Sequence, residues 1–272
     1  MNTNQERARS LPYRVAVFAF GLSAYLVGVG ALVAFILSML GVVPFTGGPL
    51  GKSSLGPALA VDLLLLLLFG LQHSVMARPR FKERWTRVIP AAVERSTFLI
   101  ATGLALLPLL WLWQPMPALV WAVHALALRC TLLGIALAGW SYLLLASFAI
   151  NHFELFGLQQ VYQALRGRQL TQPPFQVRWM YRFDRHPIMT GILIGIWVTP
   201  TMTVDHLLLA AGISIYVWIG VFFEERSLRR QLGRPYEEYC ERVRSIVPTF
   251  KNRRTSPAPD AIPTSPRKWE SS

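Results

Sequence analysis

Three polar clusters interrupt an otherwise apolar chain, and their residue types are those of proton transfer and charged-ligand binding. The first is Gln72-His73-Ser74, and the second is Asn151-His152-Phe153-Glu154. The third comes in two pieces, Tyr181-Arg182-Phe183-Asp184-Arg185-His186-Pro187 and Glu224-Glu225-Arg226. Imidazoles exchange protons near neutral pH. Guanidinium and carboxylate groups orient charged ligands through charge-assisted hydrogen bonds. No P-loop, H-E-x-x-H or cysteine-rich metal motif accompanies them, so no metal site is expected. Cys130 borders an apolar run and Cys240 lies in a charged segment, which suits two free thiols better than a disulfide or a zinc site.

Each cluster also has a plainer reading. Basic residues beside an apolar run set topology. Glu224 and Glu225 can pair with Arg229 or Arg230 at helical spacing, at a few tenths of a kcal/mol each. His73 and His152 can be satisfied interfacial side chains. The conjunction favours chemistry: His186, two adjacent carboxylates and Tyr181 return to one level through a hairpin whose arms are separated only by residues 201–206.

The elements that position these groups follow from hydropathy. The chain has 272 residues, 53% of them hydrophobic and 15% charged, with a mean hydropathy of +0.39. Its apolar residues gather in runs near the roughly 20 residues that cross a bilayer. Candidate spans are 15–40, 58–75, 96–113, 131–150, 187–200 and 207–223, the fifth short and opening at Pro187. The first run is too long for the apolar core of a secretory signal. Gly28-x-Gly30 lies inside it, so it is a helix-packing feature and no dinucleotide fingerprint.

Charge sets the orientation. The net charge of +13 is concentrated in segments 76–95 and 151–186 and after 223, whereas the intervening turns are nearly free of cations. This pattern places both termini in the cytoplasm and requires an even number of spans. It matches anionic lipid headgroups rather than nucleic acid. Arg129 is costly in lipid, so 121–129 reads as an interfacial segment before the fourth span. The expected fold is all-α: a polytopic membrane bundle of about six helices. It comprises a cytoplasmic segment 1–14, a bundle over 15–223, a cytoplasmic helical cap over 224–250, and a disordered tail over 251–272.

Arg185-His186-Pro187, a membrane hairpin, Glu224-Glu225, Gly233-Arg-Pro-Tyr236-Glu-Glu-Tyr239 and Val247-Pro248 together resemble the carboxy-terminal half of the isoprenylcysteine carboxyl methyltransferase superfamily. Four further segments resemble its bacterial methanethiol S-methyltransferase branch, grouped with NnrU-like proteins: Gln72-His-Ser-Val-Met-Ala-Arg78, Glu94-Arg-Ser96, Asn151-His-Phe-Glu-Leu-Phe-Gly157 and Thr199-Pro-Thr-Met-Thr203. Met189 stands where many superfamily members have tyrosine, so a phenol contact is missing or replaced by a thioether surface.

The resemblance implies a membrane enzyme of the bacterial cytoplasmic membrane that uses S-adenosylmethionine to methylate a small thiol such as methanethiol, giving dimethyl sulfide at the cytoplasmic side. Arg185 or His186 would order the cofactor carboxylate at Pro187, and Glu224 and Glu225 would accept from its amino or ribose groups. Trp179, Tyr181, Tyr236 and Tyr239 would pack its adenine. His73, Asn151 or His152, set between the second and fourth spans, would handle the thiol, with Arg185 as a further candidate for activating it. Other readings are methylation of another thiol or of a lipid or isoprenoid carboxylate, or a non-catalytic haem-binding or transport protein.

Overall fold

The computed structural model describes residues 10–50, 54–170 and 179–246. The Val247-Pro248 pair, the tail and the first nine residues lie outside them. The helices are α1 (Leu11–Met39), α2 (Leu55–Ala77), α3 (Pro79–Trp85), α4 (Glu94–Leu112), α5 (Leu126–Ile150), α6 (His152–Leu155), α7 (Leu158–Leu165), α8 (Pro187–Trp197), α9 (Val204–Leu232) and α10 (Arg234–Arg242). Two short strands, β1 (Leu119–Ala122) and β2 (Thr201–Thr203), pair antiparallel. Among the described residues, five helices (α1, α2, α4, α5 and α9) are long and apolar enough to cross a membrane. A helix satisfies all its backbone groups internally, which is why such apolar runs become helices in lipid. On α2, Leu63, Leu64, Leu67 and Leu68 are exposed while Leu65 is buried, as expected for a helix with a lipid-facing side.

Two boundaries depart from the sequence reading. α5 starts at Leu126, so Arg129 lies in its first turn, where Nη1 donates to the Val123 carbonyl at 3.2 Å. The fifth span contracts to the 11 residues of α8, about 16 Å long, half of a hydrocarbon core. Residues 201–203 go instead into the ribbon with β1, anchored by Trp121 Nε1 donating to the Thr199 carbonyl at 3.1 Å. α9 runs without a break past Phe223, so Glu224, Glu225 and Arg229 are helical.

Close helix crossings fix the arrangement. A Cβ at Gly191 of α8 would lie 2.6 Å from the Gly139 carbonyl oxygen and 2.7 Å from the Leu143 nitrogen of α5. Only glycine permits that backbone approach. α1 is equally integral. Gly28 packs on Leu99, a Cβ at Gly103 would lie 3.1 Å from the Gly28 Cα, and Phe35 meets Trp140 edge-on at 6.1 Å. A Cβ at Gly30, by contrast, would meet nothing within 4 Å. The main core joins Phe35, Leu65, Leu109, Trp140, Ile196 and Leu209 from six helices, with Met189 packed against it.

Candidate active site

The segment entering α8 and the carboxy-terminal stretch of α9 meet in one buried ion cluster. Arg185 Nε and Nη2 both donate to Glu225 Oε1, at 3.0 and 2.6 Å, and the two side chains are 8% and 11% exposed. Glu225 Oε1 also accepts from Ser245 Oγ at 2.8 Å and lies 3.3 Å from His186 Nε2. Oε2 accepts from Arg229 Nη2 at 2.9 Å. Buried charges persist only when lone pairs and N–H groups are matched in this way. Glu224 differs: its side chain is 50% exposed, and Oε2 lies 3.6 Å from His186 Nδ1. Of the adjacent pair, Glu224 is therefore the carboxylate with capacity left for a ligand.

The same arginine holds α10 in place. Arg185 Nη1 donates to the carbonyls of Cys240 and Val243 at 3.0 and 2.6 Å, and its backbone nitrogen donates to the Arg244 carbonyl at 3.0 Å. Tyr239 Oη donates to the Tyr181 carbonyl at 2.6 Å, and Tyr236 is buried beside it, ring centroids 5.8 Å apart. Burial drives the phenols of Tyr181, Tyr236 and Tyr239 well above the ordinary tyrosine value, so all three remain protonated. Trp179 and Phe183 are exposed at this level, with Tyr181 half-buried. Tyr236 and Tyr239, expected from the sequence against adenine, lie on the side of α10 that meets the segment entering α8.

Asp184 is fully buried at the entrance to α8. Its Oδ1 accepts from the His186 backbone N–H at 2.9 Å, ahead of Pro187 in the first turn. Burial raises its carboxyl above the usual range, although the Thr190 hydroxyl and the His186 N–H oppose the shift.

The structure separates the histidines that the sequence reading set in one cavity. α2 packs against α4 and α9, and His73 sits there among Phe98, Phe69 and Tyr216, at centroid distances of 4.8, 5.7 and 6.1 Å. Its Nδ1 is 3.2 Å from Thr102 Oγ1, and Ser74 Oγ donates to Tyr216 Oη at 3.3 Å. His152 has a different set of neighbours. It stacks on Phe148 at 4.3 Å, with Nε2 2.8 Å from Tyr25 Oη and Nδ1 2.8 Å from Ser147 Oγ. Burial lowers its pKa, which keeps the ring neutral in this hydrogen-bonded cage. Asn151 caps α6. Its Oδ1 accepts from the Glu154 nitrogen at 3.4 Å, and Nδ2 donates to Glu154 Oε2 at 3.3 Å and Gln159 Oε1 at 2.6 Å.

The motif around Asn151 is thus part of a structural seam. Gly157, at φ +83°, turns against the start of α4, where a Cβ would come 2.8 Å from the Ser96 nitrogen. Arg95 Nη1 donates to the Glu154 carbonyl at 3.3 Å across the same seam. Four residues carried no expectation from the sequence: Ser245, Thr102, Tyr216 and Asp62. Asp62 was the most readable, a lone carboxylate in the leucine run of α2. It is fully buried, and its Oδ1 accepts from the Gln114 nitrogen at 2.8 Å. Thr102 and Tyr216 were readable as polar side chains inside apolar spans, whereas Ser245 carried no local signal.

No family model matches the chain, and no solved structure matches it. It is 41% identical over 237 residues to Methanethiol S-methyltransferase 1 of Bradyrhizobium diazoefficiens, covering 87% of this chain and 83% of that protein. It is 43% identical over 237 residues to the Methanethiol S-methyltransferase of Mycobacterium tuberculosis, covering 86% and 97%. It is also 33% identical over 233 residues to Nurim of Homo sapiens, covering 76% and 87%. With identity at this level running through nearly all of the bacterial relatives, and with a bundle of membrane-length helices gathering Arg185, His186, Glu224 and Glu225 at one end, the chain belongs to the methanethiol S-methyltransferase family.

Proposed function

We propose that this protein transfers the methyl group of S-adenosylmethionine to methanethiol, forming dimethyl sulfide, at the cytoplasmic face of a bacterial inner membrane. The observation that carries the reading is the 41–43% identity to relatives of that name over most of their length. The orientation is supported by cationic segments 76–95 and 151–186 and by the arginines late in α9, which the positive-inside rule assigns to the cytoplasm. The cap over 224–250 is supported by the ties between α10 and the segment entering α8.

The residues at the Arg185 cluster fit this cofactor. A half-exposed carboxylate beside an imidazole, with the exposed indole of Trp179 at the same level, suits a ligand that carries an amino group, a carboxylate and a purine. When bound, S-adenosylmethionine supplies an electrophilic methyl on a sulfonium. Glu224 accepts from amino or ribose hydroxyl groups, and His186 meets the cofactor carboxylate. Tyr181, Trp179 and Phe183 line the adenine. Arg185 and Glu225 act through others, fixing the His186 ring and holding α10 over the site. Burial of the thiol away from water and its orientation supply much of the rate acceleration.

The test is headspace gas chromatography of cells expressing this chain and supplied with methanethiol. Dimethyl sulfide above the level of cells carrying an empty vector is expected. Its absence, with the protein shown to be present in the membrane, overturns the assignment.

A further inference from the structure

The methyltransferase reading leaves open where the thiol sits, and three side chains compete for it. Two are occupied: both ring nitrogens of His152 are hydrogen-bonded, and the Asn151 amide caps α6. His73 is not. Its Nδ1 faces the Thr102 hydroxyl, and Nε2 has no hydrogen bond among the described residues. Three aromatic rings surround it, and sulfur packs favourably against ring edges.

This box is also connected to the cofactor cluster. Tyr216, Gly220 and Glu224 follow one another at four-residue spacing along one face of α9, about 12 Å from first to last. Gly220 is exposed and a Cβ there would meet nothing within 4 Å, so no side chain stands in the row between Tyr216 and Glu224. Arg78 at the end of α2 reaches over the Phe223 ring at 5.8 Å, flanking the inner end of this row. The outer side of α2 is a lipid-facing leucine surface, a route by which an apolar thiol reaches the box from the bilayer.

Resting on the function proposed above, we infer that the methyl-accepting thiol binds in the box of Phe69, Phe98 and Tyr216, with His73 Nε2 taking its proton. The S–H bond breaks as the proton passes to the imidazole. The sulfur electron pair then forms the new S–CH3 bond, while the sulfonium C–S bond breaks and leaves its pair on the cofactor sulfur. The rings set the size limit: removing one opens space for a longer alkyl thiol.

The experiment compares wild type, His73→Asn, Phe98→Ala and the milder Phe98→Leu in detergent, each checked for folding by thermal melting. Rates are measured with methanethiol and propane-1-thiol, S-adenosylmethionine affinity by calorimetry, and dimethyl sulfide affinity by calorimetry without cofactor. Expected are a fall in kcat of about 100-fold or more for His73→Asn at unchanged cofactor affinity, and a rise of about tenfold in the propane-1-thiol to methanethiol rate ratio for the Phe98 variants. Dimethyl sulfide affinity of the cofactor-free protein should weaken about tenfold in Phe98→Ala. Wild-type rates and ratios in all folded variants overturn this inference and leave the methyltransferase reading standing. A wild-type protein that methylates neither thiol removes both.

Discussion

Replacing Arg185 by alanine tests the claim that this guanidinium holds the cap in place and does not bind the cofactor itself. Four hydrogen bonds vanish: two to Glu225 Oε1 and one each to the Cys240 and Val243 carbonyls. Glu225 keeps Arg229, Ser245 and the His186 ring, so it is not the bare buried charge that costs about 3–5 kcal/mol. The larger effect falls on α10, which loses two charge-assisted ties sharing one nitrogen. At about 1.5–3 kcal/mol per bond, and without full additivity, about 3 kcal/mol is lost from its docking. The Tyr239–Tyr181 bond, the Arg185 backbone bond to Arg244 and the buried Tyr236 remain. Local opening of α10 should therefore rise about 100-fold while the bundle stays intact. Hydrogen exchange in lipid nanodiscs reads this directly, with faster exchange over 234–243 and none over 126–150. Arg185→Lys keeps the charge but not the planar fork, and should fall between wild type and alanine. A rise below about threefold over α10, or equal acceleration over α5, would falsify the reasoning.

Gly191→Ala forces a Cβ against the α5 backbone and should cost about 1–3 kcal/mol in thermal melting, whereas Gly30→Ala, which meets only open space, should be neutral or slightly stabilising. Glu224→Gln should weaken S-adenosylmethionine binding about tenfold or more in calorimetry with little change in melting temperature, because its side chain is half exposed. His152 titrates lower in the folded protein than its ordinary value of 6.5, so its contribution to stability is present above about pH 6.5 and lost as pH falls below it. His152→Phe should flatten that acid limb of the stability profile, and an unchanged acid limb would contradict a neutral buried ring. Asp184→Asn, which keeps an acceptor for the His186 N–H, should be tolerated better than Asp184→Ala by about 1 kcal/mol in denaturant titration.

By itself the sequence determined what hydropathy and charge dictate locally. The long apolar runs became helices because lipid offers the backbone no other partner. The run of 201–206 was too short to do anything but return the chain to the level of His186, which is why Glu224 and Glu225 were legible as its neighbours. Tertiary structure decided the rest, because it depends on which helix faces meet. The fifth span was legible as short, but nothing local says that its helix stops at Trp197 so that 201–203 can pair with β1 far away in the chain. Nothing local says that Arg185 gives its donors to Glu225 and to the Cys240 and Val243 carbonyls at the end of α10, which leaves Glu224 as the more open carboxylate. His73 and His152 look alike in sequence, each where an apolar run ends. Packing alone placed one in a hydrogen-bonded cage with Tyr25 and Ser147, and the other in an aromatic box against Tyr216 of α9, the helix that carries Glu224 and Glu225.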